Sequence, residues 1–331
     1  MRRLYGLDAL RGIAALAVML GHFTAIYKLG GLPLSSALAV DLFFILSGLV
    51  MARTYEERLR DDLTASQFLA LRYRRLFLPL AIGSTICFIA TAAMFGLSIQ
   101  LLASWLLILA FLPTFWTPNA FPLNGPAWSL FLEILSNAMH GVLLAKRKTG
   151  ALIALWAGCA IVFICMYLAG MSRWDYGLDA ILLVIPRELS CYLIGIILCR
   201  VYGDRPLGTH PAFAILAFTV ALWAATLHPL VELICALIVA PLVVRASLSF
   251  ERASWAAWLG GLSYPLYATH VPAIGLSKQL GAPPLISFAF AAILAIAVTH
   301  WFELRRNQEA GATRSNKSIF STRRLIAPTR G

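Results

Sequence analysis

Eleven apolar blocks follow one another along the chain, at roughly 8–27, 37–54, 76–95, 99–115, 127–145, 150–170, 179–200, 211–227, 229–246, 258–277 and 285–302. A helix crossing the hydrocarbon core of a bilayer needs about 20 residues at 1.5 Å rise each. Most blocks meet that length, so the pattern predicts an all-α, polytopic integral membrane helical bundle. No internal repeat or low-complexity segment interrupts it. The first block runs on from Ile13 as a full span, unlike a cleaved signal.

Composition agrees. Of 331 residues, 60% are hydrophobic and 13% charged, with mean hydropathy +0.80; a soluble domain carries about 25% charged residues. The net charge of +12 does not point to nucleic acid, because its basic residues lie between apolar blocks. They cluster in "RTYEERLRDD" with "RYRR", in "KRK" at 146–148 and in the tail "RRNQEAGATRSNKSIFSTRR", as expected where Lys and Arg mark the cytoplasmic side.

Charge also sets the number of crossings. With the N-terminus and the basic tail both inside, the loops at 53–75, 146–148, 201–210 and 246–257 fall inside. The connections at 171–178, near 228 and at 278–284 fall outside. An even number of crossings must separate 53–75 from 146–148, yet three blocks lie between. The shortest, 99–115, precedes "LPTFWTPNAFPLNGPAW" and is read as re-entrant or interfacial, which is tolerated where protein buries the backbone. This gives about ten transmembrane helices with both termini cytoplasmic. The transmembrane domain covers 1–304, and a polar, basic tail expected to be disordered covers 305–331. That tail is also placed to touch anionic lipid head groups. The six cysteines sit within or at the ends of apolar blocks without metal-ligand spacing and read as buried small hydrophobes.

Ionisable residues inside a membrane are expensive and mark function by default. On the first helix Arg11 and His22 are eleven residues apart, hence about 20° apart in direction and roughly 16 Å along the axis. Ala15 and Val18 lie between them on that stripe, leaving room for a slender ligand. The second block carries Asp41 near its outer end and Ser47-Gly48 near its middle, the latter also a helix-packing device. Arg72 and Arg75 lie on adjoining turns; they read either as topology markers or as an anion site. Glu133, with Asn137 four residues on, and His270, between two prolines, are placed in the outer half. Arg187 and Glu188 are placed near mid-membrane, with partners expected on other helices. His140, His210 and His228 read as background. The layout expected is therefore arginines (Arg11, Arg72, Arg75) at the cytoplasmic mouth, with His22, Glu133 and His270 further out.

Five stretches in order carry a resemblance: "LDALRGIAALAVMLGHF" with its Arg-(ten residues)-His spacing, "VDLFFILSGLVM", "RYRR", "AWSLFLEI" and "LSYPLYATH". Together they resemble the acyltransferase family 3 of bacterial membranes, which acylates sugars of lipopolysaccharide, exopolysaccharide, Nod factors and some antibiotics. The resemblance covers about 4–304. Two departures stand out: Pro79 falls one place later than the family pattern, and "WFELRRN" replaces the usual Glu-Arg-Pro at Glu303. No stretch of these residues reads as the periplasmic hydrolase-like domain often fused to such proteins, so the expectation is a stand-alone enzyme or a separate periplasmic partner.

The resemblance implies a multi-pass protein of the bacterial inner membrane. Its co-substrate would be acyl-coenzyme A, most simply acetyl-CoA, with no permanently bound cofactor and no metal. The acceptor would be a hydroxyl of a glycan or lipid-linked sugar. On this reading Arg72 and Arg75, with Arg11, hold the phosphates of coenzyme A, and the pantetheine arm lies along the first helix. His22 is the general base, or carries the acyl group itself, and Glu133 or Asp41 orients its imidazole. Asp41, Ser47 and His270 are otherwise structural or acceptor-side. The rival readings are a secondary transporter of a small polar or anionic solute, which mid-membrane charges would suit equally, and a non-catalytic scaffold.

Overall fold

The computed structural model describes residues 3–171 and 177–325, with backbone alone from 305 onward. Those residues are helical and contain no strand. In chain order the helices are α1 (Tyr5–Tyr27), α2 (Ser36–Asp61), α3 (Ala65–Phe95), α4 (Ile99–Leu109), α5 (Ala127–Val142), α6 (Thr149–Leu168), α7 (Leu178–Tyr202), α8 (Pro211–Ala224), α9 (Pro229–Ile234), α10 (Ala240–Ser247), α11 (Ser254–Gln279) and α12 (Pro284–Leu325). A π-turn, Cys235–Val239, joins α9 to α10 in one bent helix. Eight stretches among the described residues are long and apolar enough to cross a membrane, and the chain is a multi-pass membrane protein. α8, with 14 residues, is shorter. α11 has 26 residues and two internal prolines and lies outside the eight.

The 99–115 block does not cross. Its helix α4 has 11 residues, about 16 Å of rise against the ~30 Å of a hydrocarbon core. It runs back along α3: Trp105 donates through Nε1 to Thr85 Oγ1 at 3.0 Å, and Tyr73 donates to the Leu109 carbonyl at 2.9 Å. The Pro-rich segment then folds inward instead of looping out, burying Phe111, Phe121, Leu123 and Asn124.

The stretch 53–75, expected as a loop, is mostly helix. α2 continues to Asp61 and α3 begins at Ala65. Glu56 and Arg60 pair one turn apart at 3.1 Å, and Thr64 with Gln67 forms a reciprocal capping box that starts α3. The helix α12 likewise continues through the basic segment to Leu325, with no proline between Pro284 and Pro328 to end it. Residues 172–176, on which most of the expected 171–178 connection falls, lie outside the described residues, as do 326–331. Cys165 departs from the expectation for cysteines: it is exposed on α6, whose outer face is apolar surface.

Small residues set the helix spacing. A Cβ on Gly48 of α2 would stand 2.0 Å from the Tyr192 carbonyl of α7, and one on Gly195 of α7 would stand 2.0 Å from the Ile45 carbonyl of α2. The two helices therefore interlock through reciprocal glycines. α1 and α11 do the same through Gly12 against Leu259 and Gly260 against Asp8.

The basic segments meet at one end of the bundle. Arg3 reaches the Ala257 carbonyl, Arg53 pairs with Asp204 at 2.7 Å, and Arg200 pairs with Glu56 at 2.7 Å while donating to the carbonyls of Leu144 and Arg147. At the opposite end Ser35 N–H bonds the Leu222 carbonyl, and Tyr27 bonds the Ala282 carbonyl. Arg11 points toward the first end and His22 toward the second.

Candidate active site

Toward the basic end, α1, α2, α3, α5 and α11 enclose a cavity of about 80 Å³ onto which Arg11, Arg72, Arg75, Ser47 and Glu133 all face. Arg72 is 3% exposed. Its Nη2 donates to Glu133 at 2.9 Å, while Nε and Nη1 have no protein partner. Ser47 donates to the same carboxylate oxygen at 3.4 Å. Three guanidinium groups against one carboxylate leave two positive charges in a small, half-closed space, which is an environment for an anion. Pro79, inside α3, cannot donate to the helix behind it; near this break Tyr264 donates its hydroxyl to the Leu76 carbonyl.

A second cavity, of about 450 Å³, opens toward the other end, with His22, Trp128, Tyr167, His228 and Glu232 on its wall. Val40 and Tyr267 line both cavities, so one layer of side chains separates them. Tyr267 is fixed there by a 2.5 Å hydrogen bond with Ser129 and an edge-on contact with Phe43.

His22 meets His270 of α11, with Nδ1 of His22 and Nε2 of His270 3.1 Å apart. Contacts with backbone carbonyls assign the protons of the neutral pair. His270 Nδ1 lies 2.9 Å from the carbonyls of both Leu266 and Tyr267, which can only accept, so it carries the hydrogen and Nε2 is the lone pair. His22 Nδ1 then donates, shared between His270 Nε2 and the Val18 carbonyl at 3.0 Å. The basic lone pair of His22 is thereby placed on Nε2. The turn of α11 that presents His270 is braced from outside: Pro272 has no N–H for the Ala268 carbonyl, and Asn124 donates to it instead at 2.8 Å.

The arrangement corrects three expectations. Glu133 does not belong with His22; the pitch of α5 carries it to the arginines. Asp41 does not orient the imidazole: it is fully buried and bound in a two-pronged pair by Arg187 at 2.7 and 2.6 Å. Ala15 and Val18, both 1% exposed, do not line a path; they pack in the core, Ala15 against α11. The face between the cavities comes from α2 and α11, through Val40, Phe43, Ser47 and Tyr264. Arg11, Arg72 and Arg75 come together as expected, and Ser47 serves the cavity while Gly48 serves the packing.

The comparisons with known proteins bear on this geometry. The model of the acyltransferase 3 family, described as an acyltransferase domain, matches residues 4–303. The chain belongs to the acyltransferase 3 family. It is also similar to protein 2 in the picA locus of Rhizobium radiobacter, 33% identical over 177 residues covering 47% of this chain and 90% of that protein. No solved structure matches.

In this acyltransferase the motif stretches converge. "GLDALRGIAALAVMLGHF" and "LSYPLYATH" supply the histidine pair, while "RYRR", "LSG" and "WSLFLE" close the arginine cavity. Glu232 and Tyr167, on the second cavity, were not anticipated. Tyr167 donates to Glu232 Oε2 at 2.5 Å, and Arg187 donates to Oε1 at 2.9 Å. The signal for Glu232 was present, a lone carboxylate in the apolar run "PLVELICALIV". His210 and His228 are N-caps, each accepting from the backbone N–H two residues on. His140 is fully buried beside Glu56. Among the described residues no group of His, Cys, Asp or Glu is arranged to hold a metal ion.

Proposed function

We propose that the protein moves an acyl group, acetyl in the simplest case, from acyl-coenzyme A to a sugar hydroxyl of a cell-surface or exported glycan. The basic end faces the cytoplasm of a bacterial inner membrane and receives the donor. Arg72, Arg75 and Arg11 attract its phosphates. A cavity of about 80 Å³ is far below the roughly 300–1,000 Å³ of pockets that engulf a drug-sized ligand. The nucleotide therefore stays at the mouth, where Arg75 is exposed, and the slender thioester arm enters along α2 and α11.

The acceptor sits on the far side of Val40 and Tyr267. His22 Nε2 takes the hydroxyl proton as the oxygen attacks the thioester carbon. The C–O bond forms, the C–S bond breaks, and the proton passes from His22 to the leaving thiolate, giving ester and free thiol. His270 and the Val18 carbonyl hold the tautomer that makes Nε2 the base.

The observation that carries this reading is the common wall: an anion-attracting cavity and a histidine-bearing cavity back to back in an acyltransferase 3 chain. Two such chambers would also suit a carrier of a small anion; the family match favours acyl transfer. In isolated membranes supplied with labelled acetyl-CoA, wild type should label envelope glycan, and His22→Ala should lower the rate by about 100-fold or more at equal protein level. Unchanged labelling by His22→Ala would overturn the proposal.

A further inference from the structure

The larger cavity differs from the arginine cavity in charge as well as size. Among the described residues its one carboxylate is Glu232, 14% exposed at the side chain and held by Tyr167 and Arg187 from behind. Arg187 is already matched by Asp41. Among the described residues one guanidinium, Arg187, stands against Asp41, Glu188 and Glu232, so acidic groups outnumber basic ones on this wall, whereas in the arginine cavity three guanidinium groups face one carboxylate. His228, on the same wall, is committed as the N-cap of α9 through Nδ1.

Glu232 has both oxygens bonded, one to a tyrosine hydroxyl and one to the guanidinium, and a carboxylate accepts about four hydrogen bonds. It therefore retains acceptor capacity toward the space. Trp128 and Tyr267 offer aromatic surface, and Ser35, Ser36 and Thr226 offer hydroxyls. Aromatic faces for C–H groups, combined with an oriented carboxylate for several O–H donors, suit a ring bearing many hydroxyls. A negatively charged ring would bring a second negative charge against the Glu232 carboxylate, and such like-charge juxtaposition disfavours it.

We infer that this cavity is the acceptor site, that it takes an uncharged sugar residue in preference to an acidic one, and that Glu232, oriented by Tyr167 and Arg187, sets that preference. The inference rests on the acyl-transfer reading above. Any phosphate linking the sugar to a lipid stays outside the chamber, since the wall that holds the ring is the negative one.

The test uses membranes containing the full chain, labelled acetyl-CoA, and envelope glycan as acceptor. Methyl glucoside and methyl glucuronide serve as competitors, differing only in a carboxylate for a hydroxymethyl group. For wild type, the glucoside should compete at about ten-fold lower concentration than the glucuronide. Glu232→Gln, which keeps the shape and removes the charge, should narrow that difference to near unity and leave the KM for acetyl-CoA unchanged. Thr226→Trp, at an exposed position on the cavity rim outside the Glu232 cluster, should raise the KM for the glycan by about ten-fold or more.

Equal competition by the two sugars, competition by neither, or a preference that survives Glu232→Gln would overturn the inference while leaving acyl transfer standing. Absence of any glycan labelling by wild type would instead overturn the acyl-transfer reading.

Discussion

At the scale of single residues, the site turns on one contact that periodicity on α1 does not reveal. The spacing of Arg11 and His22 puts both on one face, and the structure keeps that. What faces His22 lies 248 positions away on α11, and no single-helix pattern encodes such a distance. The same limit explains Glu133: its place along α5 was legible, but its partner was set by where Arg72 enters on α3. His270 stands behind His22 at 3.1 Å, so the proposed mechanism expects His270→Ala to lower kcat by about 10- to 100-fold without changing the KM for acetyl-CoA. Steady-state kinetics with both substrates varied would check the split, and a raised donor KM alone would contradict the assignment. Arg72→Lys should do the reverse. A point-charge ammonium cannot replace a fork that serves Glu133 and a phosphate together, so the donor KM should rise by about ten-fold while kcat changes little. If His22 acts only as a base, incubation with acetyl-CoA and no acceptor should release no stoichiometric thiol; a burst equal to the enzyme would assign the acyl group to His22 itself.

At the scale of elements, block lengths predicted the helices well because the bilayer fixes the length of apolar helix required. The 99–115 block failed that length, and α4 stops after 11 residues. Boundaries outside the hydrocarbon were less legible. The charged stretch after Arg53 reads as loop by polarity, but Glu–Arg pairing and the Thr64 capping box make it helix. The packing of these elements gives its own prediction. The reciprocal glycines of α2 and α7 leave no room for a side chain, since each Cβ would fall 2.0 Å from a carbonyl oxygen. Gly48→Leu or Gly195→Leu should therefore force the helices apart and destabilise the fold by at least the 1–3 kcal/mol typical of overpacking, read as a lower temperature of aggregation in detergent. Gly275, with open space around its Cβ position, is the control, and Gly275→Ala should leave that temperature unchanged or raise it.

At the scale of the molecule, the bundle separates charge along its axis. Arginines occupy the smaller cavity and the basic end, while among the described residues the larger chamber beyond Tyr267 carries Glu232 on its wall. Clustered Lys and Arg between apolar blocks were enough to foresee a basic end, because that bias follows from insertion and needs no tertiary information. The two chambers were not foreseeable, since they arise where α11, a continuous helix that carries Pro265 and Pro272, faces α2 across Phe43 and Tyr267. The proposed function depends on which end faces which compartment: coenzyme A is a polyanion that cannot cross hydrocarbon, so the proposal requires the arginine cavity to open to the side where that donor is supplied. With the six native cysteines replaced by serine, Arg205→Cys reports the basic end and Leu280→Cys, 75% exposed, reports the other. A membrane-impermeant thiol reagent applied to intact cells should label Leu280→Cys at once and Arg205→Cys only after permeabilisation. The opposite pattern would place the arginine cavity outside the cell, away from the donor, and acyl transfer from cytoplasmic coenzyme A would then fail on topology alone.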